Sequence, residues 1–194
     1  MGDVVDVLAD AFRDYPVMRW VVGPDGDVQA RVLRLIELFV SRRVMRGGPM
    51  FGVFDADRLV GAAILTLPVE PESPPGITAL ADAAWRDLGE AARGRYQVYA
   101  EATSPFFAGV GPHHHLNMIG IRASHAGRGL ARPLLEAVHE MAHADPQSAG
   151  VSLTTERARN LTLYEHFGYG VIAHHDVGHA LETWGLFKPH HFRH

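Results

Sequence analysis

An apolar run, Leu116-Asn117-Met118-Ile119-Gly120-Ile121, leads into Ser124-His125-Ala126-Gly127-Arg128-Gly129-Leu130-Ala131, and an amphipathic run then continues to about Ala144. Read in order, this is strand, glycine-rich turn and helix. The first turn of a helix carries N–H groups without intrahelical partners and the positive end of the dipole, so it suits phosphate oxygens. Gly127 and Gly129 lack a Cβ and let an anion approach the backbone, and Arg128 adds a positive charge. Pro133 falls just inside the helix, where a missing N–H costs nothing. A short glycine pattern alone also fits an ordinary surface turn. The residues farther along the chain decide between the two.

With 194 residues the chain has the length of one domain. A net charge of −4 gives no basic footprint for nucleic acid or for a membrane surface. No cysteine is present, which removes disulfides, thiolate nucleophiles and cysteine-based zinc sites and fits a cytoplasmic protein. No apolar run approaches the roughly 18 residues of a membrane span. Helical spacing is predicted over 3–14, ended by Tyr15-Pro16, and over Val28 to about Met45, whose end carries Arg42, Arg43 and Arg46. Met50 to Phe54 and Leu59 to Leu67 flank a turn and read as a hairpin. A proline-rich loop covers 68–76 and a long helix is predicted over 78–100. After the strand near 115–122 and the helix near 129–144 come a strand at Gly150 to Thr155, a short helix from Leu161 to Phe167, and two last strands around a turn at Gly178. Together these predict a mixed α/β domain.

The glycine turn, Gly127-Arg128-Gly129-Leu130-Ala131, is followed at a helix-plus-strand distance by Asn160 and Leu163-Tyr164-Glu165-His166-Phe167-Gly168-Tyr169. This pair of motifs resembles the GNAT superfamily of acyl-CoA-dependent N-acetyltransferases over roughly residues 114–188. Ala11 to Pro16, Glu37-Leu38-Phe39 and Thr155 to Gly168 look like the subgroup that contains puromycin N-acetyltransferase. The resemblance implies one α/β GNAT domain over 1–194, with a central mixed β-sheet flanked by helices. Residues 1–104 would form the acceptor side, and 105–194 the acetyl-CoA core. The family's first strand would be missing or supplied by another segment, leaving a sheet edge that a second copy could cover as a homodimer.

It also implies a chemistry. Ala126, Gly127, Arg128, Gly129, Leu130 and Ala131 would hold the coenzyme A pyrophosphate. Ile119, Gly120 and Ile121 would offer unpaired backbone groups to the pantetheine arm, where the family's neighbouring strands splay apart, and would stabilise an oxyanion. Asn160 would contact pantetheine, and Tyr164 would protonate the leaving thiolate as general acid. Two positions depart from the family pattern: Ala126 stands where Gln or Arg is usual, and Ala123 where proline is frequent.

Taken alone, Tyr164 also reads as a core tyrosine on a Leu161/Tyr164/Phe167 face, Asn160 as a helix N-cap, and Arg128 as a solvated charge. For the general base His115 or a water chain is the first choice, with His113, His114, Asn117, Glu101 and Glu156 as alternatives. His113 to His115 could instead bind metal, although consecutive strand residues face opposite ways. His174-His175 and His190-His191 are expected to be exposed, Trp20, Trp85 and Trp184 to be packing residues, and positions of 28–45 to line an acceptor pocket. The expected function is transfer of an acetyl group from acetyl-CoA, without metal, to a primary amine of a small molecule. A non-catalytic acyl-CoA-binding module is the alternative, and a histidine-based metal protein the third reading.

Overall fold

A computed structural model describes residues 1–190. Six strands form one mixed sheet in the order β1-β2-β3-β4-β6-β5: β1 (Met50–Asp55), β2 (Arg58–Thr66), β3 (His114–Ile121), β4 (Gly150–Thr155), β5 (Gly170–Val177) and β6 (Leu181–Pro189). All neighbours are antiparallel except β3 and β4. The expected hairpin is β1–β2, and the last two strands are β5–β6.

Seven α-helices cover the sheet: α1 (Gly2–Phe12), α2 (Pro16–Val22), α3 (Val28–Met45), α4 (Ile77–Leu88), α5 (Glu90–Thr103), α6 (Ala131–Ala144) and α7 (Arg159–His166). The first described element is a helix, so β1 forms one edge of the sheet. Alternation along β2 shows why the sheet is covered twice. Ala62 and Ile64 join a core with α1 to α5, while Ala63 and Leu65 join a second core with α6 and α7 on the opposite face. Helix α1 lies close on β3, because a Cβ built on Gly120 would stand 2.6 Å from the Ala11 Cβ.

Four sequence expectations change. The helix expected over 78–100 is two helices, broken at Gly89, whose φ of 86° favours glycine. Tyr15-Pro16 ends α1, but Pro16 also opens α2, since a helix's first position needs no N–H donor. Helix α7 starts before Leu161 with Ala158 as its N-cap, so Asn160 lies in the first turn and is not the cap. His190 is half-buried, edge-on to His143 at 5.4 Å, and His191 lies outside the described residues, whereas His174 and His175 are exposed as expected. No described helix is long and apolar enough to cross a membrane.

Candidate active site

Strands β3 and β4 pair only over His114–Val151, His115–Ser152 and Leu116–Leu153. Beyond that point β3 stays with β2 as far as Ile121, and β4 stays with β6 as far as Thr155. The backbone of β3 from Asn117 to Ile121 therefore pairs on one side only. A register shift against β2, between Ile64 and Leu65, leaves Asn117 as an extra residue in β3. Bulges of this kind re-aim backbone groups next to sites.

Two cavities open in the resulting V. The larger, about 250 Å³, lies toward α1, α2, α3 and α5. Its walls include Phe12, Tyr15, Phe39, Tyr96 and Tyr99, and its polar groups include Arg42, His115, Asn117 and Glu156. Positions of α3 thus do line a pocket, and so do Tyr96 and Tyr99 of α5. The smaller cavity is lined by Ile119, Gly120, Ile121, Ala131, Leu135, Asn160, Leu163 and Tyr164. Ile119, Asn160 and Tyr164 belong to both, so they stand at the junction.

The glycine turn borders the smaller cavity through Ala131. Gly127 and Gly129 take φ of 77° and 76°, and nothing lies within 4 Å of a Cβ built on either. None of the N–H groups from Gly127 to Ala131 donates to another described residue. Arg128 is exposed. His125, beside Ala126, bonds Ser124 at 2.8 Å and Asp55 at 3.2 Å, which ties the turn to the β1–β2 hairpin.

Tyr164 is 7 % exposed, and its hydroxyl makes no hydrogen bond to a described residue within 3.5 Å. Burial, with Tyr15 and Glu156 adding to it, raises its pKa well above the phenol value, so it is fully protonated at neutral pH. Asn160 Nδ2 donates to Thr155 Oγ1 at 3.1 Å, which anchors α7 to the end of β4.

Just past β4, Glu156 is 8 % exposed. Tyr99 Oη donates to its Oε1 at 2.8 Å, and its own N–H donates to Tyr15 Oη at 3.3 Å. Burial pushes its carboxyl up to about 7, against the opposing pull of the Tyr99 and Tyr15 hydroxyls. No described cation pairs with it. Arg157 is the nearest in sequence, but it donates to the Asp14 carbonyl at 2.9 Å and lies over the Tyr15 ring. Tyr15 is held up to about 12, by burial first and then by Glu156.

The other base candidates are placed differently. His115 lines the larger cavity, with Nδ1 2.7 Å from Ser152 Oγ, and burial with repulsion from His113 and Arg43 lowers it to about 4. Glu101 is exposed and lines neither cavity. His113 bonds the Gly111 carbonyl and His114 bonds Ser148, so the three consecutive histidines reach three different partners. No group of three metal-ligating side chains converges among the described residues. Trp85 is buried in the core, and Trp184 stacks on His174. The sequence alone ranks Glu156 below His115 and does not single out Tyr99. Their one signal is a glutamate directly after an apolar strand, and a tyrosine in register with Ala92 and Tyr96.

No family model matches the chain. Solved structures do. A histone acetyltransferase HPA2 and related acetyltransferase from Corynebacterium glutamicum is 23 % identical, with a TM-score of 0.65 over 99 % of this chain and 92 % of that one. The C-terminal condensation domain of Ebony, in complex with beta-alanyl-dopamine, gives 0.66 at 15 % identity over 97 % and 93 %. A GCN5-related N-acetyltransferase from Rhodopseudomonas palustris gives 0.56 at 10 % identity over 96 % and 88 %. The chain has the fold of the GNAT acetyltransferases.

Proposed function

We propose that the protein is an N-acetyltransferase that moves the acetyl group of acetyl-CoA to a primary amine of a small molecule. The observation that carries this reading is the junction of the two cavities. There the unbonded hydroxyl of Tyr164 and the one-sided backbone of β3 meet the larger cavity, which the cation-free carboxylate of Glu156 also lines.

The residues present fit acetyl-CoA. The unpaired N–H groups of Gly127 to Ala131 suit a pyrophosphate. Ile119, Gly120 and Ile121 suit the pantetheine arm, as an added strand would. The thioester would then lie at Tyr164. The acceptor amine enters from the larger cavity and arrives protonated. Glu156 accepts its proton, and this carboxylate replaces His115 as the preferred base, because a group near 7 holds a proton at working pH far better than one near 4. A backbone N–H of β3 between Asn117 and Ile121 stabilises the charge developing on the carbonyl oxygen. The neutral nitrogen bonds to the thioester carbon, the carbon–sulfur bond breaks as Tyr164 gives its proton to the departing sulfur, and the proton that the nitrogen sheds on becoming an amide restores the Tyr164 hydroxyl. The burial that raises Tyr164 raises the thiolate in the same cavity, so what counts is the difference between them.

Calorimetry with acetyl-CoA, followed by coenzyme A release on an amine panel, tests the reading. The panel includes antibiotic-like and aminonucleoside amines, the acceptor class implied by the resemblance to puromycin N-acetyltransferase. Binding with release on an amine class is expected. No binding near a millimolar would refute the proposal. Binding without release would favour the non-catalytic module, which the alanine at 126 motivates.

A further inference from the structure

The proposed function leaves two charged groups of the larger cavity unused, Arg42 and Arg43. Arg42, in the last turn of α3, lines that cavity and is half-buried. Its neighbours are committed elsewhere. Arg43 donates to Thr66 Oγ1 at 2.6 Å and shares Glu70 with Arg46. Thr66 in turn donates to Asn117 Oδ1 at 2.9 Å. Glu70 is thus spent on two other arginines, and the Arg42 guanidinium has no carboxylate within 4 Å and no hydrogen bond among the described residues. An unpaired guanidinium in a cavity walled largely by aromatic and apolar side chains presents a rigid fork that matches an oxyacid.

The arginines and the carboxylate of the cavity lie at different levels of the sheet. Arg43 reaches Thr66, which pairs with His115, and His115 pairs with Ser152. Glu156 is four residues beyond Ser152, about 13 Å at the rise of a strand. The cavity is therefore positive at the α3 end and negative at the Glu156 end, with mostly aromatic and apolar walls.

We propose that the acceptor is an amine with an aromatic or apolar body and a carboxylate or phosphate at its far end, the anion held by Arg42 while the amine meets Glu156. This rests on the acetyl-transfer reading for the role of the junction, but it is a statement about binding. The span between the charges places amine and acid several bonds apart, not on one carbon.

The test uses benzylamine, 4-(aminomethyl)benzoate and 4-(aminomethyl)phenylphosphonate, titrated into the full-length protein saturated with coenzyme A. Wild type should bind one or both anionic amines at least tenfold more tightly than benzylamine, as a charge-assisted hydrogen-bonded pair would give. The anion that binds more tightly shows which oxyacid the cavity takes. Arg42→Gln should reduce that ratio to within about threefold, and Arg42→Lys should keep part of it. A wild-type ratio near one overturns the proposal, and so does a ratio that survives in Arg42→Gln. Coenzyme A release, followed separately with acetyl-CoA, tells the two readings apart. An Arg42-dependent ratio without release supports the anion site and counts against catalysis. Release on benzylamine with no binding preference supports catalysis and removes the anion site.

Discussion

Glu156→Gln should make the folded protein more stable at alkaline pH, by an amount that the burial of the carboxyl sets. Its pKa rises from 4.5 to about 7 on folding, because burial penalises the charged form. A group raised on folding contributes stability that is fully present below its unfolded pKa and lost as pH rises through the folded one. At about 1.4 kcal/mol per pH unit, that loss totals roughly 3 kcal/mol. Between pH 5 and 8.5 wild type should therefore lose about 2–3 kcal/mol relative to Glu156→Gln, whose amide can still accept the Tyr99 hydrogen bond. Urea unfolding of both proteins at the two pH values measures this difference, and every other titrating group is common to both. A difference that stays constant within about 0.5 kcal/mol would refute the reasoning, since that is below one pH unit of linkage. Activity supplies an independent reading of the same group. The kcat/KM of wild type should rise with pH through about 7 as Glu156 loses its proton. Glu156→Gln should lose that limb, together with about 10²–10⁴ in rate. His115→Asn should keep the limb, because His115 titrates near 4. A limb that persists in Glu156→Gln and disappears in His115→Asn would return the base to the histidine.

Tyr164→Phe should lower kcat by about 10²–10⁴ while acetyl-CoA affinity by calorimetry stays within about threefold; an unchanged kcat would show that water protonates the thiolate. The double change Gly127→Ala with Gly129→Ala strains two left-handed residues by about 1–2 kcal/mol each and should weaken acetyl-CoA about tenfold or more, read by titration. Gly120→Ala places a methyl 2.6 Å from the Ala11 Cβ, so α1 must shift, and a loss of about 1–3 kcal/mol should appear in urea unfolding.

How much of the fold is legible in the sequence depends on the range of the interactions involved. The 3.6-residue spacing in α3 comes from neighbours along the chain, and its predicted bounds, Val28 and about Met45, match the structure. The glycine turn is equally local, since only its own residues need positive φ. Gly89 is hidden because good helix formers lie on both sides of it and keep the apolar spacing in register across the break. Pro16 reads only as a stop because proline serves helix ends and helix starts alike. The pairing of Tyr99 with Glu156 spans 57 residues and two elements, so no local pattern can announce it.

The splay between β3 and β4 also has a cause that periodicity does not carry. The sheet consists of two antiparallel halves, β1-β2-β3 and β4-β6-β5, joined by three parallel residue pairs. Each half is closed by its own hairpin, and each central strand follows its antiparallel partner to the end: β3 follows β2 to Ile121, and β4 follows β6 to Thr155. The two strands part beyond Leu116 and Leu153, at the bulge that Asn117 makes in β3. The backbone that pairs on one side only lies in one half, on β3. Glu156 and Tyr164 come from the other, just after β4 and on α7. Among the described residues, the strands of these two halves pair through the three-pair junction. His115 sits in the middle of it and bonds Ser152 across it, at 2.7 Å. That contact ties β3 to β4 just before they separate, and the low pKa of the histidine keeps its ring neutral in that bond.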